Sequence, residues 1–155
     1  MGVKHKYLED IGVEYKQLFP YLYEEENEKL NIDKQKFFQE EYETYGFASR
    51  ETWNLDGTFY IWVYERTKRF VEVAKGTIDL NYYKFNFKGK EYTQLEMINM
   101  MFERIEYCLD EDAFDNKMDE YRKQGMDIIE ANNKAFEPIM EIGEIWAIIL
   151  PNMWW

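Results

Sequence analysis

The chain has 155 residues, 46% of them apolar, with 13 Tyr, 11 Phe and 5 Trp, which is the length and aromatic content of one folded domain rather than of a disordered chain. Nineteen basic against 31 acidic side chains leave a net charge of −12, which argues against unaided binding to DNA or to an anionic membrane. One cysteine, Cys108, and one histidine, His5, exclude an intramolecular disulfide and the usual cysteine- or histidine-built metal and nucleophile sites.

The N-terminus carries two lysines with no apolar stretch behind them, so it does not read as a signal peptide. Tyr7, Leu8, Ile11, Tyr15, Leu18, Phe19 and Leu22 recur at helical spacing, with Gly12 weakening that helix and Pro20 kinking or ending it. His5 is expected to be solvent-exposed beside a frayed end. Asp33 is expected to cap a second helix with Phe37, Phe38, Tyr42 and Tyr45 on its apolar face, and Gly46 to end it as a left-handed residue with Phe47 beyond. Ser49 or Thr52 caps the next helix, whose stripe reads Leu55, Phe59, Trp62, Val63, Phe70 and Val73, and Gly76 marks its stop.

From Tyr82 the period changes to two. Tyr83, Phe85 and Phe87 alternate with polar residues, and Lys88-Gly89 turns the chain back through Glu91-Tyr92, which predicts a short hairpin over about Tyr82–Tyr92. Thr93-Gln94-Leu95-Glu96 is a capping box ahead of an amphipathic helix carrying Leu95, Ile98, Met101, Phe102, Ile105, Cys108 and Leu109, with the cysteine reading as a small core residue. A long helix then starts at Asp112 with Phe114, Met118, Tyr121, Gly125, Ile128, Ile129, Asn132 and Phe136 along one side, and Pro138 is expected to break or kink it. Ile139 to Leu150 is too short and too charged to span a membrane, and Pro151 stops it. The sum is a mainly α fold: a helical bundle of five or six helices with one short inserted β-hairpin. It reads as a single domain over residues 1–155, in which residues 1–44 form an N-terminal helical extension.

No phosphate loop, HExxH, CxxC or nucleophile elbow occurs. Asp110 to Asp115 fails as a calcium loop, because Asp115 stands where glycine is required and Tyr121 where glutamate is required. These absences point away from catalysis, and no cofactor or metal is expected. Two features carry functional content. Asp110, Glu111, Asp112, Asp115, Asp119 and Glu120 gather at the start of one helix, in a final segment (93–155) with 5 basic against 14 acidic side chains, −9. They read either as a solvated face meeting the helix dipole or as a row of charges imitating a phosphate backbone. Trp154 and Trp155 read either as a tether for the terminus or as interface anchors.

Gly46-Phe47, the string Thr52-Trp53-Asn54-Leu55-Asp56, the helix running on to Lys68-Arg69-Phe70, and the later Tyr92-Thr93 together resemble a family of small uncharacterised phage and prophage proteins. The resemblance covers residues 45–155 and transfers no catalytic residue. It implies a phage accessory protein acting in the bacterial host cytoplasm. With the acidic face, the expectation is a non-catalytic inhibitor, of anti-CRISPR or other anti-defence type, that occludes a host protein such as a nucleic-acid-processing enzyme. It is expected to touch neither nucleic acid nor membrane directly. The alternatives are a phage structural or assembly component, homo-oligomeric through Ile139–Leu150 and the tryptophans, and a small-molecule-binding bundle with a tyrosine-lined pocket.

Overall fold

The computed structural model describes residues 5–14, 28–52 and 54–154. It is mainly α-helical, with six α-helices among the described residues and one two-stranded hairpin, as the periodicities predict. The chain gathers into two compact units, Met1–Glu65 and Arg66–Trp155.

In the first unit, α1 (Lys6–Glu9) is a single turn. Gly12 ends it at φ 77°, where the Gly12 amide donates to Glu9 O and the Val13 amide to Leu8 O. The expected continuation to Leu22 and Pro20 falls outside the described residues. Leu8 is fully buried. His5 is half-buried, its Nδ1 3.0 Å from Glu65 Oε1, so the expected exposed histidine is instead held beside Leu8 as that side chain sinks into the core.

Helix α2 (Glu28–Tyr45) starts five residues before Asp33, which is therefore interior and not the cap. Gly46 stops α2 as expected, at φ 80°, its amide 3.0 Å from Tyr42 O. Only Phe38 of the expected apolar face is buried, while Phe37, Tyr42 and Tyr45 are exposed. A 3-10 turn, Ser49–Thr52, is tied back to α2 by Glu41, whose Oε2 accepts from both the amide and the hydroxyl of Ser49 at 2.9 Å.

Neither Ser49 nor Thr52 caps α3 (Leu55–Ala74). Asn54 does, with Oδ1 accepting from the Gly57 amide at 3.1 Å, while the Thr52 hydroxyl is spent on Ser49 O. The face of α3 also differs from expectation. Ile61, Val63, Tyr64, Thr67 and Ala74 are buried, whereas Leu55, Phe59 and Trp62 are exposed. Bulky apolar residues sit on both sides of this helix, so spacing alone cannot choose between them.

In the second unit, β1 (Lys84–Phe87) pairs antiparallel with β2 (Lys90–Thr93), Phe87 opposite Lys90. Lys88 and Gly89 both take positive φ, 49° and 78°, the combination a two-residue hairpin turn of matching twist demands. The capping box forms as expected: Thr93 Oγ1 accepts from the Glu96 amide, and Glu96 Oε2 from the Thr93 amide. Behind it α4 (Gln94–Leu109) buries Met97, Ile98, Met101, Phe102, Ile105 and Leu109, while Cys108 is only half-buried.

The helix expected from Asp112 to Phe136 is two helices. Gly125 takes φ 95° and separates α5 (Ala113–Lys123) from α6 (Ile128–Ile149). A second capping box, Asp127 with Glu130, starts α6. Pro138 does not break α6, which runs through it. Proline removes one helical hydrogen bond and disturbs the preceding turn, and there the Tyr107 hydroxyl of α4 donates to Ala135 O at 3.0 Å. Ala131, Ala135, Ile142, Ile145 and Ile149 of α6 face the core. Burying each large apolar side chain contributes roughly 1.5–3 kcal/mol before ordering entropy, enough to carry the helix through its proline. No residue of α5 is fully buried, which makes it the outer helix of this unit. No helix among the described residues is long and apolar enough to cross a membrane.

Candidate functional site

The expected acidic residues all lie at one end of α4 and along α5. Asp110 follows the last residue of α4, and its Oδ1 accepts from the Asp112 amide at 3.0 Å. Glu111 and Asp112 occupy the turn, and Asp112 sits at the N-cap position without using its side chain as a cap. Asp115 and Asp119 follow one helical turn apart on α5, where i,i+4 neighbours stand about 5–6 Å from each other. Asp110, Glu111, Asp112, Asp115, Asp119 and Glu120 are all exposed. Glu120 is neutralised by Lys117, with Nζ to Oε2 at 2.7 Å, and that bond raises the lysine above its usual pKa. Among the described residues Asp112, Asp115 and Asp119 take no ion-pair partner. Three like charges are thus held in a row along the start of the outer helix, with Arg122 and Lys123 in its last turn.

The other expected site divides. Trp155 lies outside the described residues. Trp154 is 62% exposed, so it does not tuck into the core. It lines a cleft of about 220 Å³ with Ile78, Asp79, Tyr82, Tyr83 and Asn152. The Tyr82 and Tyr83 rings meet edge to face, centroids 5.2 Å apart at 88°. The Asp79 carbonyl accepts from the Tyr82 amide and its Oδ1 from the Asn81 amide, 2.9 Å away, a turn that fixes Tyr82 beside the carboxylate. Gln94, 1% exposed, holds both walls: its amide nitrogen donates to Tyr83 O and its Nε2 to Asn152 O, each at 3.1 Å. Gln94 opens α4 and Asp110 closes it, so this cleft and the acidic row stand about 24 Å apart at 1.5 Å per residue.

Sequence reading missed Asp79, Tyr82, Tyr83 and Gln94 as partners of Trp154. The adjacent tyrosines ahead of the hairpin were the available signal, but period-two counting assigned Tyr83 to a strand. It also missed Glu141, one of two acids in the apolar run 139–150. Glu141 is 9% exposed and takes both Lys88 of the hairpin and Arg104 of α4, while Arg104 also donates to Met100 O at 2.9 Å. Burial pushes the Glu141 carboxyl up, but the bonds from Lys88 and Arg104 outweigh it and leave it below its usual pKa. This triad locks the hairpin to two helices and reads as structural. No group of three His, Cys, Asp or Glu side chains among the described residues is arranged to hold a metal.

One more surface was not expected. On the side of α6 away from the core, Ile129, Phe136, Met140 and Leu150 are exposed, Ile129 by 69% and Met140 by 62%. Sequence reading placed Ile129 and Phe136 on a packed side, and it read Ile139–Leu150 as a core or interface segment, apolar nearly all round. The structure divides that run between the core (Ile142, Ile145, Ile149) and the surface (Met140, Leu150). Phe136 touches Phe114 of α5 edge-on, centroids 6.3 Å apart, which sets this stripe beside the helix carrying the acidic row.

No protein-family model, curated protein or solved structure matches this chain.

Proposed function

We propose that this chain is a non-catalytic binding protein that occludes a basic surface of a host protein in the bacterial cytoplasm, with a nucleic-acid-processing defence enzyme such as a CRISPR effector as the target. The observation that carries this reading is the unneutralised row Asp112, Asp115 and Asp119 on the outer helix α5. Such a row steers association with a basic groove and disfavours other partners. The exposed apolar stripe of α6 beside it supplies anchors of the kind that dominate binding energy.

The test is capture from bacterial lysate at low and high salt, with the retained proteins identified by mass spectrometry. Wild-type chain is expected to retain a basic nucleic-acid enzyme at low salt and lose it at high salt. The triple variant Asp112→Lys, Asp115→Lys, Asp119→Lys is expected to retain none while still unfolding cooperatively, at a temperature lowered by the loss of carboxylates from the helix N-terminus. Equal retention by the triple variant rules the acidic face out.

The α6 stripe itself favours a second reading, a homo-oligomeric assembly component paired through that helix. Light scattering behind size exclusion separates the two. A defined oligomer that Met140→Glu returns to monomer supports assembly, and a monomer at all concentrations removes it.

A further inference from the structure

We propose that the cleft between Tyr82, Tyr83, Asp79 and Trp154 is a binding site for a small alkylated ammonium ion of the trimethylammonium class. Its position, about 24 Å along α4 from the acidic row, makes it independent of the docking reading above.

Three aromatic residues, Tyr82, Tyr83 and Trp154, and one acidic residue, Asp79, line the same cleft. The face of each ring carries partial negative charge, and Trp and Tyr faces attract cations most strongly when the site is partly desolvated. Tyr82 and Tyr83 meet edge to face rather than stacking on each other. Trp154 and Asp79 complete the lining, which among the described residues includes no lysine or arginine.

The chemistry of the lining chooses among cations. A metal ion or a bare ammonium would have to exchange its water shell for one carboxylate and ring surface, a poor trade for a strongly hydrated charge. An alkylated ammonium spreads its charge over methyl groups, needs no hydrogen-bond acceptors, and buries apolar surface against the rings. The size of about 220 Å³ suits such a headgroup and not a macromolecule.

The site is also pre-organised. Gln94 is buried and uses its backbone and its side chain on opposite walls, Tyr83 and Asn152. The Asp79 turn holds Tyr82 by its amide. These bonds fix the backbone of both walls, which lowers the cost of binding.

The test is titration of the full chain with choline chloride, followed by calorimetry and by the indole NMR signals, against sodium chloride at equal ionic strength. The comparison ligand is 3,3-dimethylbutan-1-ol, which has the shape of choline with a neutral carbon in place of nitrogen. Choline is expected to bind saturably and to shift the Trp154 indole signal. The neutral analogue is expected to bind at least about tenfold more weakly. Trp154→Ala and Tyr82→Ala each lower choline affinity roughly tenfold, whereas Tyr82→Phe, which keeps the ring face, stays within about twofold. Asp79→Asn weakens choline and leaves the neutral analogue unchanged. Tyr82 and Trp154 are both largely exposed, so these variants leave the core intact. Equal affinity for choline and the neutral analogue overturns the proposal, as does choline binding that survives Trp154→Ala, or no saturable binding.

Discussion

The Gln94 side chain donates from Nε2 to the backbone carbonyl of Asn152, 3.1 Å away and 58 residues on. A glutamine buried at the first position of a helix would be costly if unbonded. Here it fastens the chain after α6 to the start of α4, and the same residue's amide fastens Tyr83.

Gln94→Leu keeps the volume and removes the donor, leaving the Asn152 carbonyl without that bond. The expected cost is about 1–2 kcal/mol by chemical denaturation. Amide exchange is expected to quicken selectively over residues 150–154. A stability loss with unchanged exchange there shows that the bond does not hold the tail.

Glu141 sets an acid limit. Its folded pKa lies below the usual value of 4.5, so the unfolded state binds the proton at higher pH than the folded state does. Its contribution is fully present above pH 4.5 and is lost as pH falls through the folded pKa. Glu141→Gln, which leaves Lys88 and Arg104 facing a neutral amide, is expected to cost about 1–3 kcal/mol at pH 7. It should also flatten the stability profile below pH 4.5. An unchanged slope there assigns the acid sensitivity to other carboxylates.

Thr67 is fully buried, and among the described residues its hydroxyl finds no hydrogen-bond partner. Thr67→Val replaces that hydroxyl with a methyl of similar size and is expected to raise stability by about 1 kcal/mol. Thermal melts of the two proteins decide this, and destabilisation would reveal a bound water or a partner reached by rotation of the hydroxyl.

Gly125 separates α5 from α6 at φ 95°, and an added methyl would meet nothing within 4 Å. The cost of Gly125→Ala is therefore backbone strain alone, about 1–2 kcal/mol. If the variant melts at the wild-type temperature, the two helices tolerate a different junction.

Much of the second unit was legible in advance. The hairpin over Lys84–Thr93 and the Thr93 box depend on neighbours within four residues, and local chemistry decided them. The Gly125 break was not read, because Phe114 and Phe136 keep helical spacing across it. Pro138 was overvalued, since the core face of α6 and the Tyr107 hydroxyl are supplied by residues distant in sequence. Exposure was the least readable property. Ile129 looks like any core residue until Ala131 and Ala135 take the packed side. For the candidate sites, the acidic row announced itself as composition, whereas the cleft needed the chain after α6 to return to Gln94, a tertiary event with no local trace.

The cap of α3 carries one more implication. A methyl added at Gly57 would lie 2.8 Å from Asn54 Nδ2 and 3.0 Å from its Oδ1. The carboxamide that serves the Gly57 amide thus occupies the space an alanine would need. Alanine at 57 offers about 1 kcal/mol of helix propensity and withdraws a cap worth about the same. The two positions therefore behave as one choice, and Gly57→Ala is neutral with Asn54 present and stabilising once Asn54 is already alanine.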